Sequence, residues 1–442
     1  MSKNFTTVSV LGIFFLGLPL GAVGGVSISN VELVDSADGL NLLVSGSGFG
    51  SRGYSVAPVL LDQAENAYEH GRINEYQKSF SDRQEILRIK EDPKTLWVKP
   101  SMGDGGVANP PLLVKTRPGR VKSSESHYLM DGANSFLGWP AAYGGVDTPI
   151  DQERTYVAWY IKPKYDPRWY WSTTPSGQVG SFEPNETITV NGIEGQYIGT
   201  SDAGISEGML QFSLPGQRNT SNLLGQKIVG VSSGAVTTFN PDISKSLGPG
   251  HNKYLRIWED PSGIEGLRLS WTNFQLHQSG MDGGEEWYLA DIEPQEWNFM
   301  EVFLDGHQGT VEARVNGRLE FSASFGDDKN LEGLLSPTIA LLGFNGKTQV
   351  HQTVEIDDIY MDHRFSRIVI GASSKFSELS GYDLQVPIEW SPTKISAIVN
   401  MGAMSLAEDS YVYIVNEQGE VNENGYRICL GCPSYPSSLT VQ

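Results

Sequence analysis

Trp297-Asn298-Phe299-Met300-Glu301-Val302-Phe303-Leu304, broken by Asp305-Gly306-His307-Gln308-Gly309 and resumed as Thr310-Val311-Glu312-Ala313-Arg314-Val315-Asn316-Gly317, decides the fold. In an extended chain Trp297, Phe299 and Phe303 fall on one face, and the segment 310–315 alternates at period two, as a half-buried strand does. Asn316-Gly317 is a strong hairpin signal, because both residues tolerate the positive φ that a tight two-residue turn requires. Leu319, Phe321, Ala323 and Phe325 return at the same period. The short apolar run 339–344 then suits a strand buried on both faces, and Val354-Glu355-Ile356-Asp357-Asp358-Ile359-Tyr360-Met361-Asp362 closes the series. The pattern predicts an antiparallel meander in an all-β chain.

A tryptophan opening a strand, a V-x-x-x-V-N-G hairpin and a final I-D-D-I-Y strand resemble concanavalin-like, laminin-G-type jelly rolls. The resemblance covers roughly residues 62–362. It implies a jelly-roll sandwich, a fold that hosts lectin-like modules, polysaccharide lyases and glycosidases alike.

Composition agrees with many short strands. Fifty glycines and 23 prolines are scattered among 39% hydrophobic and 10% aromatic residues, which suits strands joined by tight turns. The best helical pattern is at 62–80. Lys3 precedes the apolar run 8–20, and Ala22-Val23-Gly24 offers small residues for cleavage, so residues 1–24 read as an export signal. Gly and Pro interrupt that run, and it falls short of the roughly 18–20 apolar residues of a bilayer span. The expectation is a secreted protein, extracellular or periplasmic, with no membrane span. A formal charge of −20 makes nucleic acid an unsuitable partner and counts against polyanionic substrates.

Val26 to Leu33 and Leu40 to Ser45 read as two strands, and the second runs into Gly46-Ser47-Gly48-Phe49-Gly50. That segment resembles the opening of IPT/TIG domains, small immunoglobulin-like sandwiches. Gly50 is followed within ten residues by jelly-roll entry sequence, and five further short strands follow residue 364. An immunoglobulin-type sandwich needs about seven strands, so the two N-terminal strands are expected to complete a sandwich begun before the jelly roll and finished after it. The expected division is 26–57 for its first strands, 58–363 for the jelly roll with a β-rich insertion at about 177–250, 364–428 for the remaining strands, and 429–442 for a tail. Two separate small β units at the chain ends are the alternative.

For chemistry, Pro167-Arg168-Trp169-Tyr170-Trp171 is the most suggestive binding stretch. Aromatic faces stack on the C–H-rich faces of sugars, and Trp169 and Trp171 would share a face if extended; as core residues they would instead be buried. Asp358 and Asp362, with Asp357, are calcium candidates, since calcium wants several oxygen ligands and many jelly rolls hold a structural ion near the last strand. Simple alternation puts Asp358 on one face with Tyr360 and Asp362; a solvated acidic strand end is the other reading. Cys429 and Cys432 lack the second pair a four-thiolate zinc site needs, and in an exported chain read as a local disulfide.

Catalytic patterns are incomplete. Glu355-Ile356-Asp357 resembles the E-x-D-x-E strand of laminarinase-type hydrolases, but Ile359 stands where the acid belongs. Gln349-Val350-His351 resembles the Q-[IV]-H of jelly-roll alginate lyases, with Gln275-Leu276-His277 an approximate second copy, and neither brings the arginine-rich or tyrosine strands. Gly204-Ile205-Ser206-Glu207-Gly208 spells G-x-S-x-G without the strand and helix a nucleophile elbow needs. No catalytic residue is therefore assigned. The sequence reads as a secreted protein that binds a polysaccharide or cell-surface glycan, or attaches to a surface, without catalysis and with a structural calcium as the one cofactor in view. A jelly-roll lyase or glycoside hydrolase and a structural extracellular protein are the alternatives.

Overall fold

The computed structural model describes residues 25–36, 39–52, 56, 58, 60–62, 97–98, 112–114, 127–131, 136–140, 154–163, 170–200, 208–217, 221–240, 253–258, 268–272, 275–279, 286–289, 292–305, 308, 310–324, 338–342, 353–400, 402 and 409–428. Nearly all regular structure among them is antiparallel β; one short 3-10 turn, Phe376–Glu378, is the exception. The export segment, the helix expected within 62–80 (Asp62 aside) and both cysteines lie outside the described residues.

Strand Arg154–Pro163 is the centre of an eight-stranded sheet. It pairs with Asn298–Asp305 on one side and Thr353–Asp362 on the other. Asn298–Asp305 continues through Thr310–Val315 to Arg318–Ser324. The turn between those last two has φ of 51° at Asn316 and 75° at Gly317, the positive values that its sequence anticipates. Gly317 has a second reason to be glycine, since a Cβ there would lie 2.3 Å from the Leu379 carbonyl oxygen. A seven-stranded sheet runs from Glu286–Leu289 through Lys253–Trp258 and Thr338–Leu342 to Trp97–Val98.

A third sheet carries its own core. Its six strands run from Val236–Thr238 through Thr187–Val190 and Ile193–Thr200 to Tyr170–Thr173, so it takes in a strand that precedes residue 177. Ile188, Val190, Phe212, Leu214, Leu223, Ile228 and Phe239 pack together inside it. Glu186 locks the adjoining loop. Its carboxylate accepts hydrogen bonds from the Ser232 and Ser233 amides at 3.2 and 3.1 Å, from their hydroxyls at 3.0 and 2.8 Å, and from the Glu183 amide at 2.7 Å. Burial pushes this carboxyl up, but the Ser233, Glu183 and Ser232 donors outweigh burial and hold it below the usual glutamate value of 4.5. A depressed folded value stabilises above the unfolded value and loses its effect as pH falls through the folded one. Glu186→Gln should therefore cost about 1–2 kcal/mol at neutral pH and almost nothing in strong acid. Thermal melts at the two pH values check this; a penalty that persists undiminished in acid would remove the charge from the account.

Two four-stranded sheets form a sandwich from both ends of the chain. One has the order Ser27–Ser36, Gly39–Ser47, Lys394–Ile398, Val386–Trp390; the other runs Asp383–Leu384, Arg367–Gly371, Ser410–Val415, Tyr426–Ile428. Asn41 to Ser45 pair in register with Ile398 to Lys394. Between the sheets, Val26, Leu42, Val44 and Phe49 pack with Ile368, Ile370, Ile395, Val412, Ile414 and Ile428. Strands Asp383–Leu384 and Val386–Trp390, separated by one residue, belong to different sheets. Gln385 makes the corner: its side chain is buried and bonds to the backbone of Asp383 and Asn400, so the chain changes sheets there.

The second of these sheets is buried on both faces. Ile368 and Ile370 point into the sandwich, whereas Val369 joins Tyr382, Leu384 and Tyr413 against Tyr156, Ala158, Tyr160, Phe299 and Tyr360 of the eight-stranded sheet. The sandwich and the eight-stranded sheet thus share a core. Charged side chains tie it at three points, two of them buried. The Tyr156 and Tyr382 hydroxyls both donate to Glu301 Oε1, the former at 2.8 Å, and Arg367 Nε donates to the Tyr382 oxygen at 3.1 Å. Burial and the Glu301 charge push both tyrosines up, with Arg367 working against them. Arg52, wholly buried, donates to Asp362 and to the Ser366 carbonyl. Arg154 bridges Asp305 at 2.9 Å and Glu417 at 2.8 Å.

Candidate functional site

A cleft of about 580 Å³ opens where the eight-stranded sheet meets the sandwich. One wall is a turn followed by a strand start. Buried Asn298 holds that turn: its amide donates to the carbonyls of Glu293 at 2.8 Å and Glu296 at 2.9 Å, and its oxygen accepts from the Glu293 amide at 2.8 Å. This fixes Glu293, Glu296 and Trp297 at the cleft. Asn316 extends the wall. Its side chain donates to Asn298 Oδ1 at 3.0 Å and accepts from the Phe299 amide at 2.9 Å, which places the hairpin turn and exposed Arg318 beside Trp297.

The facing wall comes from the sandwich. After the turn Phe376–Glu378 the chain passes Ser380, Gly381, Tyr382 and Asp383 along the cleft. Tyr160 forms part of the floor, and its hydroxyl donates to the Tyr382 carbonyl at 3.0 Å. Gly381 has no room for a side chain: a Cβ would meet the Tyr160 hydroxyl at 2.6 Å and Phe299 Cβ at 3.3 Å. Trp297 is half-buried, and the His127 ring stands edge-on to it with centroids 6.0 Å apart. Glu293 and Glu296 are exposed, while Asp383 is buried. The cleft combines an aromatic surface with carboxylate, amide and hydroxyl groups on two walls that hydrogen bonding and packing hold in place. Such a set suits a polyhydroxylated ligand with one apolar face.

The residues singled out in the sequence are dispersed. Trp169 lies outside the described residues, and for Tyr170 only the strand Tyr170–Thr173 is described. Trp171 packs against the core of the six-stranded sheet opposite Phe212, and its indole N–H donates to the Gln217 carbonyl at 3.0 Å. Simple alternation does not carry through the strand Thr353–Asp362. Its register shifts between Asp357 and Tyr360, and Asp358 has φ of 47°. Asp357 opposes Tyr160, Tyr360 opposes Ala158 and Asp362 opposes Tyr156, so these three keep one face while Asp358 sits in the bulge. The face shared by Asp358, Tyr360 and Asp362 is thereby corrected: the extra residue of a bulge resets the parity of everything after it. One Asp362 oxygen accepts from Arg52 and from Tyr360, the latter at 3.0 Å. Among the described residues no group of three or more His, Cys, Asp or Glu is placed to hold a metal ion. Glu355 and Asp357 are both buried, His277 is described by its strand alone, and Ser206 and His351 lie outside the described residues.

No sequence motif marks the cleft. Trp297 stands out in the sequence as a strand opener, but the opposite wall is supplied by residues some eighty positions later, and no local pattern joins them.

No protein-family profile matches this chain, and no curated protein matches it in sequence. Among solved structures it is similar to the binding domain of botulinum neurotoxin serotype G, at 9% identity and a TM-score of 0.28 over 74% of this chain and 71% of that one. It is similar to a structure described as a sialidase, at 8% identity and a TM-score of 0.29 over 74% of this chain and 21% of that one. A heptameric SAP-like pentraxin from Limulus polyphemus aligns at 10% identity and a TM-score of 0.19, over 48% of this chain. The chain spans under two thirds of that pentraxin's length, 64%. Among the described residues no helix is long and apolar enough to cross a membrane.

Proposed function

We propose that this chain is an exported glycan-binding or surface-attachment protein without catalytic activity, and that sugar docks in the cleft between jelly roll and sandwich. The observation that carries the reading is Trp297 beside carboxylate, amide and hydroxyl groups in a cleft of about 580 Å³. Sugars offer hydroxyls to such acceptors and a C–H face to an indole. In this reading the larger unit is a laminin-G-type jelly roll and the smaller an IPT/TIG-like sandwich made from residues 26–57 and 364–428. The pairing of Asn41 to Ser45 with Lys394 to Ile398 supports that division. The apolar run 8–20 behind Lys3 supports export to the periplasm or the extracellular space. A lyase or hydrolase would gather its acid and base in an open cleft, and the burial of Glu355 and Asp357 counts against that pair as the catalytic one.

A glycan array on the exported chain, followed by titration of any hit, tests the proposal. Trp297→Ala should weaken the hit about tenfold, as truncating an interface tryptophan does, while the far-ultraviolet spectrum stays that of a β protein. A folded Trp297→Ala chain with unchanged affinity would sink the cleft as the site. If Trp169→Ala abolished binding instead, the site would move to the aromatic stretch 169–171.

A further inference from the structure

We infer that the cleft selects glycans by charge, taking chains that bear free amino groups over neutral ones and turning away uronates. This deepens the glycan reading above and rests on it. Among the described residues, four charged ones line the cleft: Glu293, Glu296, Asp383 and Arg318. The Asp383 carboxylate is buried against Gly402, which leaves two exposed carboxylates, Glu293 and Glu296, against one exposed guanidinium. Arg318, the one cation among the described lining residues, already has a carboxylate beside it, with Nε 3.9 Å from Glu320 Oε1. A carboxylated sugar would therefore meet more negative than positive charge.

An ammonium group finds the opposite. Glu293, Glu296 and Trp297 belong to the one turn that Asn298 ties down by its side-chain bonds at 2.8 and 2.9 Å. A protonated amine over the Trp297 ring gains the attraction of a cation for an aromatic face, and its N–H groups can donate to carboxylates presented by the same turn. The aromatic surface and the acidic groups arise from different side chains and favour the same ligand. The chain-wide charge of −20 adds a field that favours the approach of cationic chains to the protein. Because both glutamates are exposed, salt should weaken the preference.

The test uses the full exported chain and three probes of equal length in calorimetric titration: glucosamine hexamer, its fully N-acetylated counterpart and a uronate hexamer. The glucosamine hexamer should bind about tenfold tighter than the acetylated one, the sum expected from one cation–π contact and two exposed ion pairs, and the uronate should not bind. Adding salt to about 0.5 M should shrink the gap. Glu293→Gln with Glu296→Gln should weaken the glucosamine hexamer more than the acetylated one and so narrow the gap to the part that the Trp297 ring supplies. Equal binding of the two hexamers, a gap that the double substitution leaves unchanged, or tighter uronate binding would each overturn the inference while leaving the cleft as a glycan site. Failure of the glucosamine hexamer to bind also overturns it, and the glycan array then decides whether the broader reading falls as well.

Discussion

Arg367→Met should lower stability by about 3–5 kcal/mol, the cost of removing one partner from a buried charged pair. Arg367 Nη2 lies 3.9 Å from Glu301 Oε1, and its Nε and Nη1 donate to Tyr382 Oη at 3.1 Å and to the Phe365 carbonyl at 2.9 Å. The guanidinium also stands 4.9 Å from the Tyr156 ring centroid and 5.1 Å from that of Phe303. Burial alone would lower its pKa, but Tyr382, Tyr156 and Glu301 reverse that and raise it. Methionine fills much of the space and leaves the buried Glu301 carboxyl among tyrosines without its Arg367 partner. Glu301→Gln added to Arg367→Met should then recover a good part of the loss, because the buried charge goes with it. Chemical denaturation of the two single variants and the double variant closes the cycle. A loss under about 1 kcal/mol for Arg367→Met would mean that the network contributes little beyond packing.

Deleting residues 26–50 should have the larger effect and unfold the sandwich outright. The deletion removes Val26, Leu42, Val44 and Phe49 from the sandwich core and strips Lys394–Ile398 of one neighbour. Burying one large apolar side chain contributes about 1.5–3 kcal/mol, so four of them approach the 5–15 kcal/mol by which a typical domain is stable. The damage should not stop there. Val369, Tyr382, Leu384 and Tyr413 cover Tyr156, Tyr160 and Phe299, so loss of the sandwich uncovers one face of the eight-stranded sheet. The six-stranded sheet has a core of its own and should keep its amides protected. Hydrogen exchange resolved by segment reads all three regions. Full protection retained across 367–428 in the deleted chain would contradict the shared core.

Local signals were legible because they depend on neighbours in sequence. Asn316-Gly317 specifies its turn through the φ each residue tolerates, and the strand Thr310–Val315 buries every second residue as its alternation demands. The segment Arg367–Gly371, apolar apart from its first residue, is buried throughout. Its lack of alternation says that both faces are covered, but not by what. Tertiary structure decides that one face meets the N-terminal hairpin's core and the other meets Tyr156 and Tyr360. It also decides the bulge at Asp358, where pairing with Arg154–Pro163 slips the register, and no pattern in Asp357-Asp358-Ile359 announces that slip. The cleft belongs to the same class. Glu293, Trp297 and Arg318 are close in sequence and share a wall, yet the space they face exists only because Ser380 to Asp383 fold back against them. Sequence alone determined an all-β chain, its hairpins and its apolar faces, since those follow from side-chain period and backbone freedom. Which faces meet, and which hollow is left between them, depends on contacts across tens to hundreds of residues, and only the folded chain makes them.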